Sequence, residues 1–335
     1  MNTLAFEAVP QLPQREADGH KGTFGSVLVV GGCTHAPRRM LGGAMLAARG
    51  ALRAGAGRAI VAVPAPLAAE ALMVLPEATV VALPTDADGV LVASAAAEAL
   101  DAALAEATAV VVGPALGRSD AAGQVVMRLV AMGDKPTVVD ADAIRLFADH
   151  VDAARDVRGT VVFTPHPGEA RSLADALALD VDCVERATRP AAALALSQRL
   201  GAVVVLKGAG TVTSDGLRAW RCDAGNAALA TGGSGDVLGG VIAGLFAQFA
   251  RHGVLSPGAI AALGVELHAR AGDLWRDARG DAGALAHEIA DLVPDAMRAM
   301  RARRRRAGTV RSCRTTISAS SRSETAPTSR ASTPS

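Results

Sequence analysis

The stretch TGGSGDVLGG, residues 231–240, sets three glycines against one carboxylate at the start of a long apolar run. Glycine is the poorest helix former after proline, and an unpaired buried charge is costly. Core packing gives no reason for that combination. Where a helix begins, Thr231 to Gly235 would offer backbone amides that lack an intrahelical partner, at the positive end of the helix dipole. Glycines there let the chain close on an anion, so Gly233, Ser234 and Gly235 form a candidate anion hole for phosphate. Asp236 would then stand beside the bound phosphate, ready to take the proton of an attacking hydroxyl. The plainer alternative makes Asp236 a helix cap. Gly239, Gly240 and Gly244, further along, read as the small face of a tightly packed helix.

Three other short segments carry groups of the same kind. LKGAGT offers Lys207 and Thr211 on a flexible glycine pair, either to a nucleotide's phosphates or as a plain strand connector. TPHPGE fixes His166 and Glu169 in a stiff proline-flanked turn. Three roles are open there: contact with substrate, which is favoured, Mg²⁺ held by Glu169 through water, or His166 as a turn cap. In VVDADAI, one of Asp140 and Asp142 suffices for a cleft, and the other is expected to cap the next helix. No G-x-x-x-x-G-K-[ST] occurs and GAGRAI lacks the third glycine of the dinucleotide fingerprint, so a nucleotide site here is of another kind. Cys33, Cys183, Cys222 and Cys313 have neither metal-site spacing nor a neighbouring C-x-x-C, and read as reduced thiols of a cytoplasmic protein.

These segments need elements to hold them. Apolar β-branched runs begin near residues 26, 58, 78, 109, 136, 160 and 202, most of them continuous, as in strands covered on both faces. Ala/Leu-rich helical segments separate many of them, which gives a mostly parallel sheet flanked by helices. DGLRAWRCD reads as an antiparallel edge strand, and helices are expected over 235–250, 257–273 and 283–299. The motifs follow apolar runs, so they converge on the rim beyond the carboxyl ends of the strands, where open α/β sheets bind ligands.

Composition narrows the partners. The 335 residues are half apolar, enough for a large core, and the net charge of +1 gives no pull toward nucleic acid or anionic lipid. Aromatic residues are 2% of the chain and tyrosine is absent, which argues against base stacking. No apolar run is long enough for a bilayer span, and the N-terminus does not read as a signal peptide. The expected layout is an N-terminal extension over 1–17, one domain over 18–300 and a disordered Ser/Thr/Arg-rich tail over 301–335.

In order, KGTFGSVLVVGG, GALRAGAGRAIVAVP, VVGPALG, VVDADAI, TPHPGEARSL, VVVLKGAGTVTSDG and NAALATGGSGDVLGGVIAGLFAQ resemble the ADP- or ATP-dependent NAD(P)H-hydrate dehydratases, a branch of the ribokinase-like superfamily, over residues 18–297. The resemblance implies a three-layer α/β ribokinase-like fold. It implies a hydro-lyase that restores hydrated NADH or NADPH, ADP being converted to AMP and phosphate. By it, Lys207, Gly208, Ala209, Gly210, Thr211 and Gly235 bind the adenine nucleotide. Ala44, Gly117, His166 and Asp236 bind the hydrated coenzyme, with Asp236 as catalytic base and Mg²⁺ arriving with the nucleotide. A homotetramer is also implied. So is an epimerase on a separate chain, since only about twenty residues precede the first strand. The chain departs from the family pattern at Ala115, where a second glycine is usual, at Cys33, where serine is common, and at His287 and Glu288. The rival readings are a ribokinase-like kinase of a small hydroxylated molecule and a nucleotide-binding module without turnover.

Overall fold

In a computed structural model, which describes residues 5–35 and 37–317, nine strands form one sheet. They are β1 (Ser26–Val30), β2 (Arg58–Pro64), β3 (Thr79–Leu83), β4 (Ala109–Val112), β5 (Thr137–Val139), β6 (Val161–Phe163), β7 (Val203–Leu206), β8 (Val212–Ser214) and β9 (Ala219–Arg221). Their spatial order is β3-β2-β1-β4-β5-β6-β7-β8-β9. All pairings up to β7 are parallel, and β8 and β9 add antiparallel strands at one edge. The chain runs outward from β1 to β3 and returns to β4 on the other side of β1. That reversal opens a crevice at the carboxyl ends of the strands.

The continuous apolar strands have the physical basis expected of them, because helices cover both faces. Val27 and Val29 point into one core with helices α1 (Gly42–Arg53), α8 (Ser234–Phe249), α9 (Pro257–Arg279) and α10 (Ala286–Ile317). Leu28 and Val30 point into the other, with α3 (Ala93–Glu106), α4 (Asp120–Met132), α5 (Asp142–Asp149), α6 (Pro167–Ala176) and α7 (Arg189–Leu200). The short α2 (Ala68–Val74) lies between β2 and β3 in the chain. The expected three-layer α/β fold is therefore the observed one.

Helix α8 is buried along nearly its whole length, between the sheet and helices α1 and α9. Its glycines explain how it fits. A methyl group on Gly240 would run into the Ala47 carbonyl oxygen of α1, and one on Gly244 would stand 2.6 Å from that of Ala51. The two helices thus meet backbone to backbone, as the packing interpretation of these glycines expects. Gly239 has a different neighbour, because a methyl there would be 3.3 Å from Asp140 Oδ2.

Three boundaries differ from expectation. VTS forms a separate strand, β8, too short to show a period in the sequence. Residues before 18 pack on the domain: Phe6 bridges to Ala219 of β9, and Leu12 is buried in the core. The tail expected to be disordered from 301 is helical as far as Ile317, because alanine and arginine are strong helix formers. Arg301 ties its start down by donating to the Pro13 carbonyl at 3.2 Å. Residues 318–335 lie outside the described residues. Among the described residues no helix is long and apolar enough to cross a membrane.

Candidate active site

The rim holds a cavity of about 810 Å³. Each strand end contributes one group: Asp140 after β5, His166 and Glu169 after β6, and Lys207 to Thr211 after β7. Gly233 to Asp236, at the start of α8, close the floor. Segments far apart in the chain meet here because parallel strands all deliver their carboxyl ends to one side.

Gly233 is the N-cap of α8 at φ +86°, a left-handed conformation that glycine adopts freely. A methyl there would strike the Leu46 side chain. Val237 donates to the Gly233 carbonyl, whereas the amides of Gly235 and Asp236 find no partner among the described residues. Ser234 turns the other way, its Oγ 3.1 Å from Nε2 of the buried His268 on α9. That imidazole is driven down to about 4, chiefly by burial, and stays neutral. Of the three proposed anion-hole residues, Gly233 and Gly235 shape the opening and Ser234 anchors the turn.

Lys207 Nζ reaches Asp140 Oδ1 at 3.0 Å and lies 3.1 Å from where a methyl on Gly235 would be. Asp140 is 1% exposed; its Oδ1 also accepts from Thr164 Oγ1 at 2.7 Å, while Oδ2 is buried without a partner. Burial works against the Lys207 ammonium, but Asp140, Glu169 and Asp236 outweigh it and hold its pKa above the ordinary value. Asp236 responds oppositely: burial, then the negative Asp140, push its carboxyl up from 3.8 to about 7, with Lys207 restraining the rise. A carboxylate poised near neutrality can both take and return a proton at physiological pH.

His166 and Glu169 form a capping box at the start of α6. The imidazole Nδ1 accepts from the amides of Gly168 at 3.0 Å and Glu169 at 3.3 Å, and Glu169 Oε2 accepts from the His166 amide at 2.8 Å. Nδ1 as acceptor leaves the proton of the neutral ring on Nε2, 3.3 Å from Glu169 Oε1. Burial first, then the positive Lys207, keep the imidazole pKa low, and burial raises that of Glu169. The cap role, set aside in the sequence for substrate contact, is therefore present, while the exposed edge of His166 still faces the cavity. Glu169 faces the cavity too, with its two oxygens turned to His166.

Two expected coenzyme contacts stand apart from the cavity. Ala44 is fully buried in the first turn of α1, its methyl facing Gly31 just after β1. Gly117 is buried as well, its amide donating to Asp142 Oδ2 at 2.9 Å beside Cys33. Asp142 thus anchors that loop and makes no cap bond on α5, contrary to expectation. The group that α1 does bring to Asp236 is Gly43, where a methyl would stand 3.1 Å from Oδ2 and 3.2 Å from the Ala115 amide. Ala115 adopts φ +57°, so the departure from glycine keeps the left-handed turn at a steric cost. Glu288, another departure, accepts from Trp275 Nε1 and the Leu285 amide, securing the start of α10. Gly43 and His268 were missed from the sequence; a histidine inside the apolar run of α9 was the one visible signal.

A family model described as NAD(P)H-hydrate dehydratase matches residues 27–295. A bifunctional NAD(P)H-hydrate repair enzyme of Moorella thermoacetica is 39% identical over 86% of this chain and 52% of its own length. The chain thus spans about half the length of the bifunctional relatives it matches. The ADP-dependent (S)-NAD(P)H-hydrate dehydratase of Bacillus subtilis is 34% identical, with 84% of this chain and 92% of that protein covered. Among solved structures, a ribokinase-like superfamily protein of Enterococcus faecalis superposes with a TM-score of 0.68 at 26% identity, covering 87% and 92% of the two chains. The Bacillus subtilis ADP/ATP-dependent NAD(P)H-hydrate dehydratase, co-crystallized with ATP/Mg²⁺, gives 0.66 at 29% identity, covering 87% and 95%.

Proposed function

The chain belongs to the NAD(P)H-hydrate dehydratase family, and from that premise we propose that it is an ADP-dependent (S)-NAD(P)H-hydrate dehydratase, a lyase that repairs hydrated NADH and NADPH. The observation that carries the reading is Asp236: a partly buried carboxylate poised near pH 7 at a helix N-terminus, in one cavity with the Lys207–Thr211 loop.

In this reading Asp236 takes the proton of the hydrate's hydroxyl as its oxygen attacks the terminal phosphorus of ADP. The P–O bond to AMP breaks and AMP leaves. The free amides of Gly235 and Asp236, with the dipole of α8, stabilise charge on the transferring phosphoryl group. The phosphate then leaves the ester by C–O cleavage, taking up the proton that the adjacent carbon gives up, which restores the ring double bond. Lys207 holds Asp140 and Asp236 in one electrostatic unit and meets the nucleotide's phosphates. Gly208, Ala209, Gly210, Thr211 and Gly235 bind the nucleotide. His166 and Asp236 bind the coenzyme, while Ala44 and Gly117, buried away from the cavity, support the α1 and Gly117 turns from within the core.

Mg²⁺ is proposed as the nucleotide's counter-ion. Among the described residues no cluster of three ligating side chains stands ready to hold a metal, which fits a cation carried mainly by phosphates and water. Glu169, a carboxylate on the cavity wall, is the residue to hold it through water, and the ion would neutralise charge on the phosphates. A homotetramer, a cytoplasmic location and functional pairing with an epimerase complete the proposal. The exposed Leu72, Met73 and Val74 of α2 offer an apolar surface for assembly.

The test is recovery of reduced-coenzyme absorbance from chemically prepared NADH hydrate with ADP, with ATP and without nucleotide, in Mg²⁺ buffer. Recovery only with nucleotide, one epimer remaining unused, supports the dehydratase and names its phosphate donor. Nucleotide binding without recovery would move the reading to a kinase.

A further inference from the structure

The cavity carries more negative than positive charge. Asp140, Glu169, Asp223 and Asp236 line it, against Lys207 and Arg186. Lys207 is engaged by Asp140 at 3.0 Å, and Asp223 is paired with Arg221 at 2.9 Å. A polyanionic nucleotide entering this space would meet one guanidinium that no carboxylate holds within ion-pair distance among the described residues, that of Arg186.

Arg186 does not stand there alone. It and Arg189, at the head of α7, close on the Lys207–Thr211 loop from one side. A methyl on Gly210 would be 3.1 Å from Arg186 Nε, and one on Gly208 would be 2.9 Å from Arg189 Nη2. A side chain at either glycine would crowd the guanidinium beside it. Arg189 is 5% exposed, donates from Nη1 to the Ala209 carbonyl at 2.6 Å and from Nη2 to the Val184 carbonyl at 3.4 Å, and leaves Nε buried without a partner. A buried guanidinium is normally matched by an anion, yet this one has carbonyls alone. Burial, then the like charge of Arg186, pull its pKa below the ordinary value. Two cations side by side on one glycine loop are left for an anion to compensate.

We propose that Arg186 is a second cation of the nucleotide site, contacting the phosphates of bound ADP along the outer part of the Lys207–Thr211 loop. This rests on the reading of that loop as the nucleotide site. The planar fork of arginine suits bidentate contact with phosphate oxygens, which the single point charge of lysine does not reproduce. Arg189 beneath the loop keeps the Ala209 carbonyl turned inward, so the glycine stretch is held open toward the same anion.

Two titrations with ADP and with adenosine, on wild type, Arg186→Gln and Arg186→Lys, test the proposal, together with steady-state kinetics on NADH hydrate. Arg186→Gln should raise the Kd and KM for ADP about tenfold to a hundredfold, leaving adenosine affinity, kcat at saturating ADP and the KM for the hydrate where they were. Arg186→Lys should recover part of the loss. ADP affinity unchanged in Arg186→Gln overturns the proposal, and so does an equal loss for ADP and adenosine, which would mean contact with the base. Either of those results, beside a wild type that binds ADP, overturns this inference alone. A wild type that binds no ADP removes the nucleotide reading itself and the inference with it.

Discussion

Asp236 sits in a place that suits its chemistry and opposes its charge, and the stability of the protein should record the conflict. Its pKa rises from 3.8 to about 7 on folding, so the folded protein holds that proton about a thousandfold more tightly than the unfolded chain. Between pH 4 and 7 the native state keeps a proton that the unfolded state has released. Stability contributed by this group is therefore highest in acid, falls as pH rises through that window and is level above it. Asp236→Asn keeps the shape and removes the titration. Its advantage over wild type should be about 2–4 kcal/mol at pH 8.5 and about 1–2 kcal/mol at pH 5, at about 1.4 kcal/mol per power of ten. The lower ends apply because Lys207 loses one of the charges that hold it protonated. Urea unfolding of both proteins at the two pH values measures the difference. Turnover of NADH hydrate should fall by several orders of magnitude in the same variant. An Asn variant with a pH-independent advantage, or none, would show that burial does not strain Asp236; retained turnover would remove it from the mechanism.

Three further outcomes follow from the same geometry. Wild-type kcat/KM should rise with pH to a plateau with an apparent pKa near 7, and Lys207→Met should move that acid limb upward by about one unit, because the charge restraining Asp236 is gone; an unmoved limb would uncouple the two groups. Ala115→Gly should stabilise the protein by about 0.5–1 kcal/mol in urea unfolding, since glycine takes φ +57° without the steric penalty that alanine meets. Gly240→Ala should destabilise by about 3 kcal/mol or prevent folding, as its methyl collides with the Ala47 carbonyl; near-neutral unfolding would show that α1 and α8 can part.

Much of this protein was legible in the chain because much of it is locally encoded. Seven β-branched runs became seven parallel strands: six are buried almost throughout, where a strand covered on both faces must be apolar at nearly every position whatever lies far off in the chain, and the edge strand β3 is partly exposed. The glycine cluster before Asp236 was legible for a similar reason: free amides and a left-handed cap belong to one helix end. The choice between capping and substrate contact for His166 could not be made there, because both use the same turn residues and differ only in what lies opposite.

The sequence by itself determined the layered α/β fold, the rim on which the motifs gather and the placing of Asp236 at a helix N-terminus. Tertiary structure alone decided what surrounds that carboxylate. Gly43 arrives from α1 through the backbone contact at Gly240, Lys207 is shared with Asp140, His268 fastens Ser234, and Ala44 and Gly117 turn into the core. Periodicity and cap chemistry act over a few residues and are written locally. Burial, charge coupling and helix contact join residues scores of positions apart, and they come into being only when the sheet brings them to one edge.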